Sequence, residues 1–130
     1  MNEKVIHGYK DLIVWQRSTE LVVAVYSLTG NFPKEEIYGL TSQMRRAAVS
    51  IASNIAEGRM RGTKKDFSHF LRIAFGSGAE LETQIIVAKQ LLNTKNLKYD
   101  IVVSLLGEVM RMLNVMIRKF NPREASEARC

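Results

Sequence analysis

The stretch from Tyr38 to Arg61 constrains the fold of this chain more than any other. Its large apolar and alanine residues recur three and four positions apart, which places them on one face of an α-helix. The residues of this core face are Met44, Ala47, Ala48, Ile51 and Ile55. A second surface of small side chains lies about 100° around the helix. It consists of Val49, Ala52 and Ala56. Two such faces predict packing contacts from two directions.

Helical periodicity also runs through the rest of the chain. A chain of 130 residues with 46% hydrophobic residues is suited to one compact domain. We predict a loose lead-in at 1–8, a helical domain at 9–121 and a polar tail at 122–130. The predicted helices cover about 9–29, 40–57, 64–93 and 99–120. Four helices with short connections favour an all-α, antiparallel up-down-up-down four-helix bundle.

The first and fourth helices carry more apolar surface than one core requires. In the first helix, one line of apolar residues contains Leu12, Trp15, Val22 and Tyr26, and a second contains Val14, Leu21, Val25 and Leu28. A helix that covers a single core needs an apolar arc of only about 100°. The excess predicts self-association. The candidate interface residues are Val49, Ala52, Ala56, Leu106, Met110 and Ile117.

Several features concern the cellular compartment. The longest apolar run, Leu21–Tyr26, is far shorter than the roughly 20 residues that a membrane span needs. The first ten residues contain no apolar core of a secretory signal. The chain has one cysteine, Cys130, so it has no intramolecular disulfide. We expect a cytoplasmic protein without membrane contact.

Positive charge is concentrated in one part of the chain. The net charge is +6, and residues 43–72 contain seven Arg or Lys residues against two acidic ones. A basic region around a helix–loop–helix junction indicates an anionic partner such as RNA or DNA, whereas the alternative is a solvated, solubilising surface. The candidates for phosphate contact are Arg45, Arg59, Arg61, Lys64, Lys65 and Arg72.

No pattern in the chain predicts catalysis, a metal or a cofactor. Di-iron bundles use Glu-x-x-His motifs, but neither His7 nor His69 follows a glutamate by three positions. Cys130 is terminal, and no serine has a histidine or lysine at a recognisable spacing. The glycines around Ser77 lack the lysine of a phosphate loop. We therefore predict a protein that is not an enzyme.

Some polar residues fit structural roles instead. Asn54 borders the core face of the second helix and should form a hydrogen bond to a neighbouring helix or subunit. Arg46 could form interhelical salt bridges that fix the register of the helices. Its possible partners are Glu57, Glu80 and Glu82.

Several ordered motifs between Tyr9 and Leu92 resemble those of a known family. They are LIVWQRS, NFPKEE, YGLTSQMRRAAVSIASNIAEG and FLRIAFGSGAELETQI. The chain is thereby similar to the four-helix-bundle proteins associated with intervening sequences in bacterial large-subunit ribosomal RNA genes, some of which are labelled ribosomal proteins. That family in turn resembles the accessory protein of diversity-generating retroelements, a basic pentamer that binds nucleic acid and the reverse transcriptase.

The resemblance implies a small cytoplasmic helical bundle that forms a homo-oligomeric ring, commonly of five subunits, without catalytic activity. Two functions remain open at this point. The ring could bind RNA or DNA through the basic junction of the second and third helices. Alternatively, it could be a scaffold or adaptor that binds another protein and makes no direct contact with nucleic acid.

Overall fold

The computed structural model describes residues 8–120, and this part of the chain contains four α-helices and no β-strand. The predicted all-α class is confirmed. The helices are α1 (Ile13–Thr29), α2 (Ser42–Met60), α3 (Lys64–Ala88) and α4 (Asp100–Phe120). Tyr9–Asp11 and Lys34–Glu36 form 3-10 turns, and Ile37–Thr41 forms a π-helical turn directly before α2. The predicted tail, and the lead-in except Gly8, lie outside the described residues.

The four helices surround one hydrophobic core. α1 packs against α2 and α4, and α3 also packs against α2 and α4. Each helix contributes a line of buried apolar residues at three- and four-residue spacing, as an amphipathic helix should. The largest of these fully buried side chains are Leu21, Met44, Ile51, Ile55, Leu71, Leu81 and Leu113.

In α1, the second of the two apolar lines forms the core. Val14, Leu21, Val25 and Leu28 are buried, and Ser18 completes their spacing. The Ser18 hydroxyl donates a hydrogen bond of 2.7 Å to the Val14 carbonyl, so a polar residue is satisfied inside the core line. The other line is only partly buried, and its last residue is exposed; it contains Leu12, Trp15, Val22 and Tyr26.

The end of α2 differs from the prediction because Gly58 lies inside the helix. The helix continues to Met60, past the predicted end at 57. A Cβ atom on Gly58 would lie 2.6 Å from the Cβ of Phe70 on α3, so this glycine permits close contact between the two helices. The turn that follows uses Gly62, whose φ of 92° is the left-handed conformation that glycine adopts most easily.

The connection between α3 and α4 begins earlier than predicted. α3 ends at Ala88 instead of near 93. The Thr94 hydroxyl donates a hydrogen bond of 2.7 Å to the Ala88 carbonyl at the helix end. The Tyr99 hydroxyl in turn donates one of 2.8 Å to the Thr94 carbonyl. These bonds satisfy backbone carbonyls that a helix end leaves without a partner.

Two predicted interface residues belong to the interior of the single chain. In α4, Leu106 shares a buried line with Val102, Val109 and Leu113 because these four residues are spaced by four, three and four positions. Leu106 is only 4% exposed, and Ala52 on α2 is also buried. Neither side chain is available for a contact with another subunit.

Candidate nucleic-acid interface

The junction between α2 and α3 is a tight turn that presents two lysines. The Thr63 hydroxyl accepts a hydrogen bond of 3.1 Å from the backbone N–H of Asp66, as the capping pattern predicts. This cap begins α3 at Lys64, so Lys64 and Lys65 occupy its first turn.

Lys64 and Lys65 are the most accessible cations of the junction. Both side chains are exposed, and neither forms an ion pair within residues 8–120. They also lie at the positive end of the α3 dipole, which adds to their positive potential. An anion that approached this turn would meet two unneutralised ammonium groups beside a helix N-terminus.

Arg61 is held by neighbours on both helices. Its Nη2 atom donates to a Glu57 carboxylate oxygen at 2.7 Å, and its guanidinium lies 4.9 Å from the centre of the Phe70 ring. The hydrogen bond to Glu57 is the main cause that raises the pKa of Arg61 above its ordinary value. Because Glu57 neutralises much of its charge, Arg61 contributes less to the potential of the surface than either lysine.

Arg59 and Arg72 lie deeper in the junction. Both are half-buried, and the Nε atom of Arg59 is buried without a hydrogen-bond partner among the described residues. Arg72 lines a groove of about 400 Å³ together with Lys65, Ser68, His69 and Phe120.

Ser68 is a site residue that the sequence analysis missed. Its side chain is buried at this groove, and its hydroxyl has no hydrogen-bond partner in residues 8–120. Ser68 lies one helical turn before Arg72, which is the only signal that could have drawn attention to it.

Arg45 is not part of this group. It precedes Arg59 by fourteen residues, or about 21 Å along the helix axis. Its guanidinium lies 4.4 Å from the centre of the Tyr26 ring on α1, and its Nε atom donates to the Thr29 hydroxyl at 2.8 Å. The six predicted cations therefore form two groups, with five around the α2–α3 junction and Arg45 at the opposite end of α2.

The predicted polar bond of Asn54 is made within its own helix. Its side-chain amide donates to the Ser50 carbonyl at 2.8 Å and to the Ser50 hydroxyl at 3.0 Å. The Ser50 hydroxyl shares a hydrogen bond of 2.9 Å with that of Ser77 on α3, so the network reaches the neighbouring helix through Ser50.

The predicted salt bridges of Arg46 are absent from residues 8–120. Arg46, Glu80 and Glu82 are exposed side chains, and the carboxylate of Glu57 is paired with Arg61 one turn further along α2. An ion pair does connect α1 and α4, where Arg17 Nε donates to Glu108 at 3.0 Å. This hydrogen bond is the main cause that raises the pKa of Arg17.

The remaining interface candidates lie at the surface. Val49 is exposed, and Ala56, Met110 and Ile117 are half-buried. A nearly apolar groove of about 370 Å³ also opens between the start of α1 and the second half of α4. We refer to it as the α1–α4 groove; it is lined by Leu12, Ile13, Val14, Arg111, Met112, Val115 and Met116.

Two chemical features were also examined in the described part of the chain. Residues 8–120 contain no group of three His, Cys, Asp or Glu side chains that could hold a metal ion. None of the helices within this range combines the length and the hydropathy needed to cross a membrane.

The sequence matches one family model over most of its length. The model is described as 23S rRNA-intervening sequence protein, and the match covers residues 10–115, which include α1 to α3 and most of α4. No curated protein matches the chain.

Proposed function

The chain belongs to the 23S rRNA-intervening sequence protein family, and from this premise we propose that it is a non-enzymatic, homo-oligomeric helical bundle that binds the RNA or DNA backbone. The binding surface is the α2–α3 junction. The observation that carries this proposal is the exposure of Lys64 and Lys65, neither of which is neutralised by an ion pair within residues 8–120.

The chemistry of the junction supports contact with phosphates. Ammonium groups bind phosphate oxygens as point charges, and backbone phosphates provide most of the sequence-independent affinity of nucleic-acid binding. Arg72 and Ser68 extend the polar surface along the adjacent groove. Phe67 is buried and Phe70 packs under Arg61, so the aromatic rings of the junction do not form a platform for bases. The proposed contact is therefore with the backbone.

Contacts between neighbouring helices support an antiparallel up-down-up-down bundle. In an antiparallel pair, residue numbers rise along one helix as they fall along the other. Early α1 residues meet late α4 residues in the α1–α4 groove, whereas Leu28 near the end of α1 shares a cavity with Ile101 near the start of α4. In α3, Phe67 contacts Phe120, whereas Gly78, further along the helix, lies against Met110.

Self-association is supported by apolar side chains that the single chain leaves exposed. Ile13 and Val23 on α1 are more than half exposed, as are Ile101 and Val115 on α4. The resemblance to ring-forming relatives makes a pentamer the proposed assembly. Repetition of the basic junction around a ring would add many weak phosphate contacts through effective concentration. The family's expected location, and the one we propose, is the cytoplasm.

A second candidate function is a scaffold for another protein. The α1–α4 groove favours this alternative because a concave, apolar surface suits an apolar side chain or helix of a partner. A monomer in solution would leave this groove free for such a partner, whereas an assembly could cover it.

Paired lysine substitutions test the proposed nucleic-acid surface. Lys64→Gln with Lys65→Gln should weaken binding of labelled single-stranded RNA or DNA and reduce the slope of log affinity against log salt by about 1.4, at about 0.7 per lost phosphate contact on each chain. Fluorescence anisotropy across a salt series measures both quantities, and light scattering gives the mass of the assembly.

The matched control is Lys95→Gln with Lys98→Gln. These two lysines are also exposed, and their loss changes the net charge equally, but they lie in the connection before α4. We expect the control pair to change affinity much less than the junction pair. Equal losses from the two pairs would mean that net charge alone determines binding, and unchanged binding in the junction pair would refute the proposed surface.

A further inference from the structure

A cavity at the opposite end of α2 has a different chemistry from the junction. It has a volume of about 600 Å³, within the range of roughly 300–1,000 Å³ that small-molecule sites occupy. The end of α1, the π-helical turn and the start of α2 form its walls. It is lined by Tyr26, Thr29, Gly30, Phe32, Lys34, Ile37, Tyr38, Thr41, Ser42 and Arg45.

The π-helical turn exposes a tyrosine at the edge of this cavity. Tyr38 is 95% exposed, the highest value among the exposed large hydrophobic residues of the described chain. The backbone leaves helical geometry at the next residue, Gly39, where φ and ψ are both −113°. The Glu36 carboxylate accepts a hydrogen bond of 3.3 Å from the Leu40 N–H across this turn. An exposed aromatic ring on a capped, irregular turn has a free face for a flat ligand.

The charged residues that line the cavity are both cations. Lys34 is exposed, and no acidic side chain is among the lining residues. Arg45 lies against the Tyr26 ring and uses its Nε and Nη2 atoms for Thr29 and the Tyr26 carbonyl. Its Nη1 donors have no hydrogen-bond partner within the described residues and are available to an anion.

The wall of the cavity also contains an unsatisfied polar group. Thr41 is only 6% exposed, and its hydroxyl has no hydrogen-bond partner in residues 8–120. A buried hydroxyl without a partner is unusual because burial removes its bonds to water. A ligand with polar atoms suits this wall better than a purely apolar one.

We propose that this cavity binds a nucleotide, with the base stacked on Tyr38 and the phosphate bound by Arg45 and Lys34. Aromatic stacking beside cationic groups is the combination by which proteins hold unpaired bases. The nucleotide is either one unit of a single strand or a free nucleotide, and the same chemistry recognises both. The site is separate from the α2–α3 junction and does not depend on Lys64 or Lys65.

The test compares bases with backbone. Labelled oligouridylate of about 10 nucleotides, a length within the range of single-strand binding sites, is compared by fluorescence anisotropy with an abasic strand that has the same phosphates. Wild-type protein should bind the oligouridylate more tightly. Tyr38→Ala should weaken that binding by about 5- to 100-fold, as expected for the loss of one stacked base, and abolish the preference over the abasic strand. Tyr38→Phe retains the aromatic face and should retain most of the affinity.

A calorimetric titration with uridine monophosphate distinguishes the two sources. Binding of the monophosphate that Tyr38→Ala and Lys34→Gln both weaken, without oligouridylate binding, would support a site for a free nucleotide. Loss of oligouridylate affinity in Tyr38→Ala would support a site for a strand. Because Tyr38 is almost fully exposed, its substitution should leave the helical content measured by circular dichroism unchanged.

Two results would overturn the proposal. One is unchanged binding of both probes by Tyr38→Ala. The other is a lower scattering mass for Tyr38→Ala with unaffected binding, which would assign Tyr38 to a contact between copies of the chain. The junction variants separate this outcome from failure of the proposed function. Binding that requires Lys64 and Lys65 but not Tyr38 would refute only the cavity, and the reverse pattern would refute only the junction.

Discussion

The contact between α2 and α3 differs from the contact between α1 and α4. α2 and α3 approach closely, since Gly58 lies against Phe70 and the hydroxyls of Ser50 and Ser77 meet at 2.9 Å. α1 and α4 are joined by a half-exposed ion pair between Arg17 and Glu108, and an apolar groove remains open beside them.

The difference indicates which surface is left for a partner. Small residues allow two helices to interlock within one chain, so much of the small-residue surface of α2 is already used. The larger apolar residues of α1 and α4 exceed what one core can cover. The open side of the domain is therefore the better candidate for self-association than the small-residue surface of α2.

The largest expected effect is at the core face of α2. Ile55→Ala should lower the free energy of unfolding by about 2–5 kcal/mol because it removes a fully buried side chain and leaves a cavity. Urea denaturation at fixed protein concentration measures the change. The same substitution at Ile86, which is half exposed on α3, should change stability by about 0.5 kcal/mol. Similar losses at both positions would contradict the assigned core.

The close approach of α2 and α3 can be tested with two glycines. Gly58→Ala should destabilise by about 1–2 kcal/mol, because overlap with Phe70 outweighs the better helix propensity of alanine. Gly76→Ala should instead stabilise by up to about 1 kcal/mol, since a Cβ atom there meets nothing within 4 Å. Opposite signs in urea denaturation support the close contact, and stabilisation by both substitutions would argue against it.

The start of α4 should respond to alkaline pH through Tyr99. Burial raises the pKa of this phenol above its ordinary value. The unfolded tyrosine ionises from about pH 10 while the folded one keeps its proton, so the free energy of unfolding should fall as pH rises above about 10. Tyr99→Phe should remove this part of the alkaline loss.

At neutral pH the same substitution should cost about 1 kcal/mol, because the Thr94 carbonyl loses its hydrogen bond. Thermal denaturation at pH 7 and above pH 10 measures both effects. Tyr38→Phe is the control at an exposed tyrosine, and an equal response from the two variants would show that burial of Tyr99 has no part in the pH dependence.

The smallest effect on folding, but a large effect on assembly, is expected in the α1–α4 groove. Val115 is 64% exposed, so Val115→Glu should change the stability of the fold by only about 0.5 kcal/mol. If this groove is an interface between copies, the charge should lower the mass measured by light scattering. Ser104→Glu adds the same charge at an exposed α4 position outside the groove and should leave the mass unchanged.

The sequence by itself determined the helical class and most of the buried face of each helix. Three- and four-residue spacing selects one side of a helix whatever the partner, so Met44, Ile51 and Ile55 could be assigned to the core in advance. The capping residue Thr63 was predictable for a similar reason, because its hydrogen bond is made within one turn. Both signals are local.

Tertiary structure alone decided the features that depend on a neighbouring helix. A glycine that ends a helix and a glycine that admits another helix look alike in sequence, and Phe70 on α3 makes Gly58 the second kind. Arg45 looked like part of one basic region, yet Tyr26 and Thr29 hold it at the other end of α2. Periodicity specifies the direction of a side chain from its own helix axis, whereas what that side chain meets depends on distances between helices that are far apart in sequence.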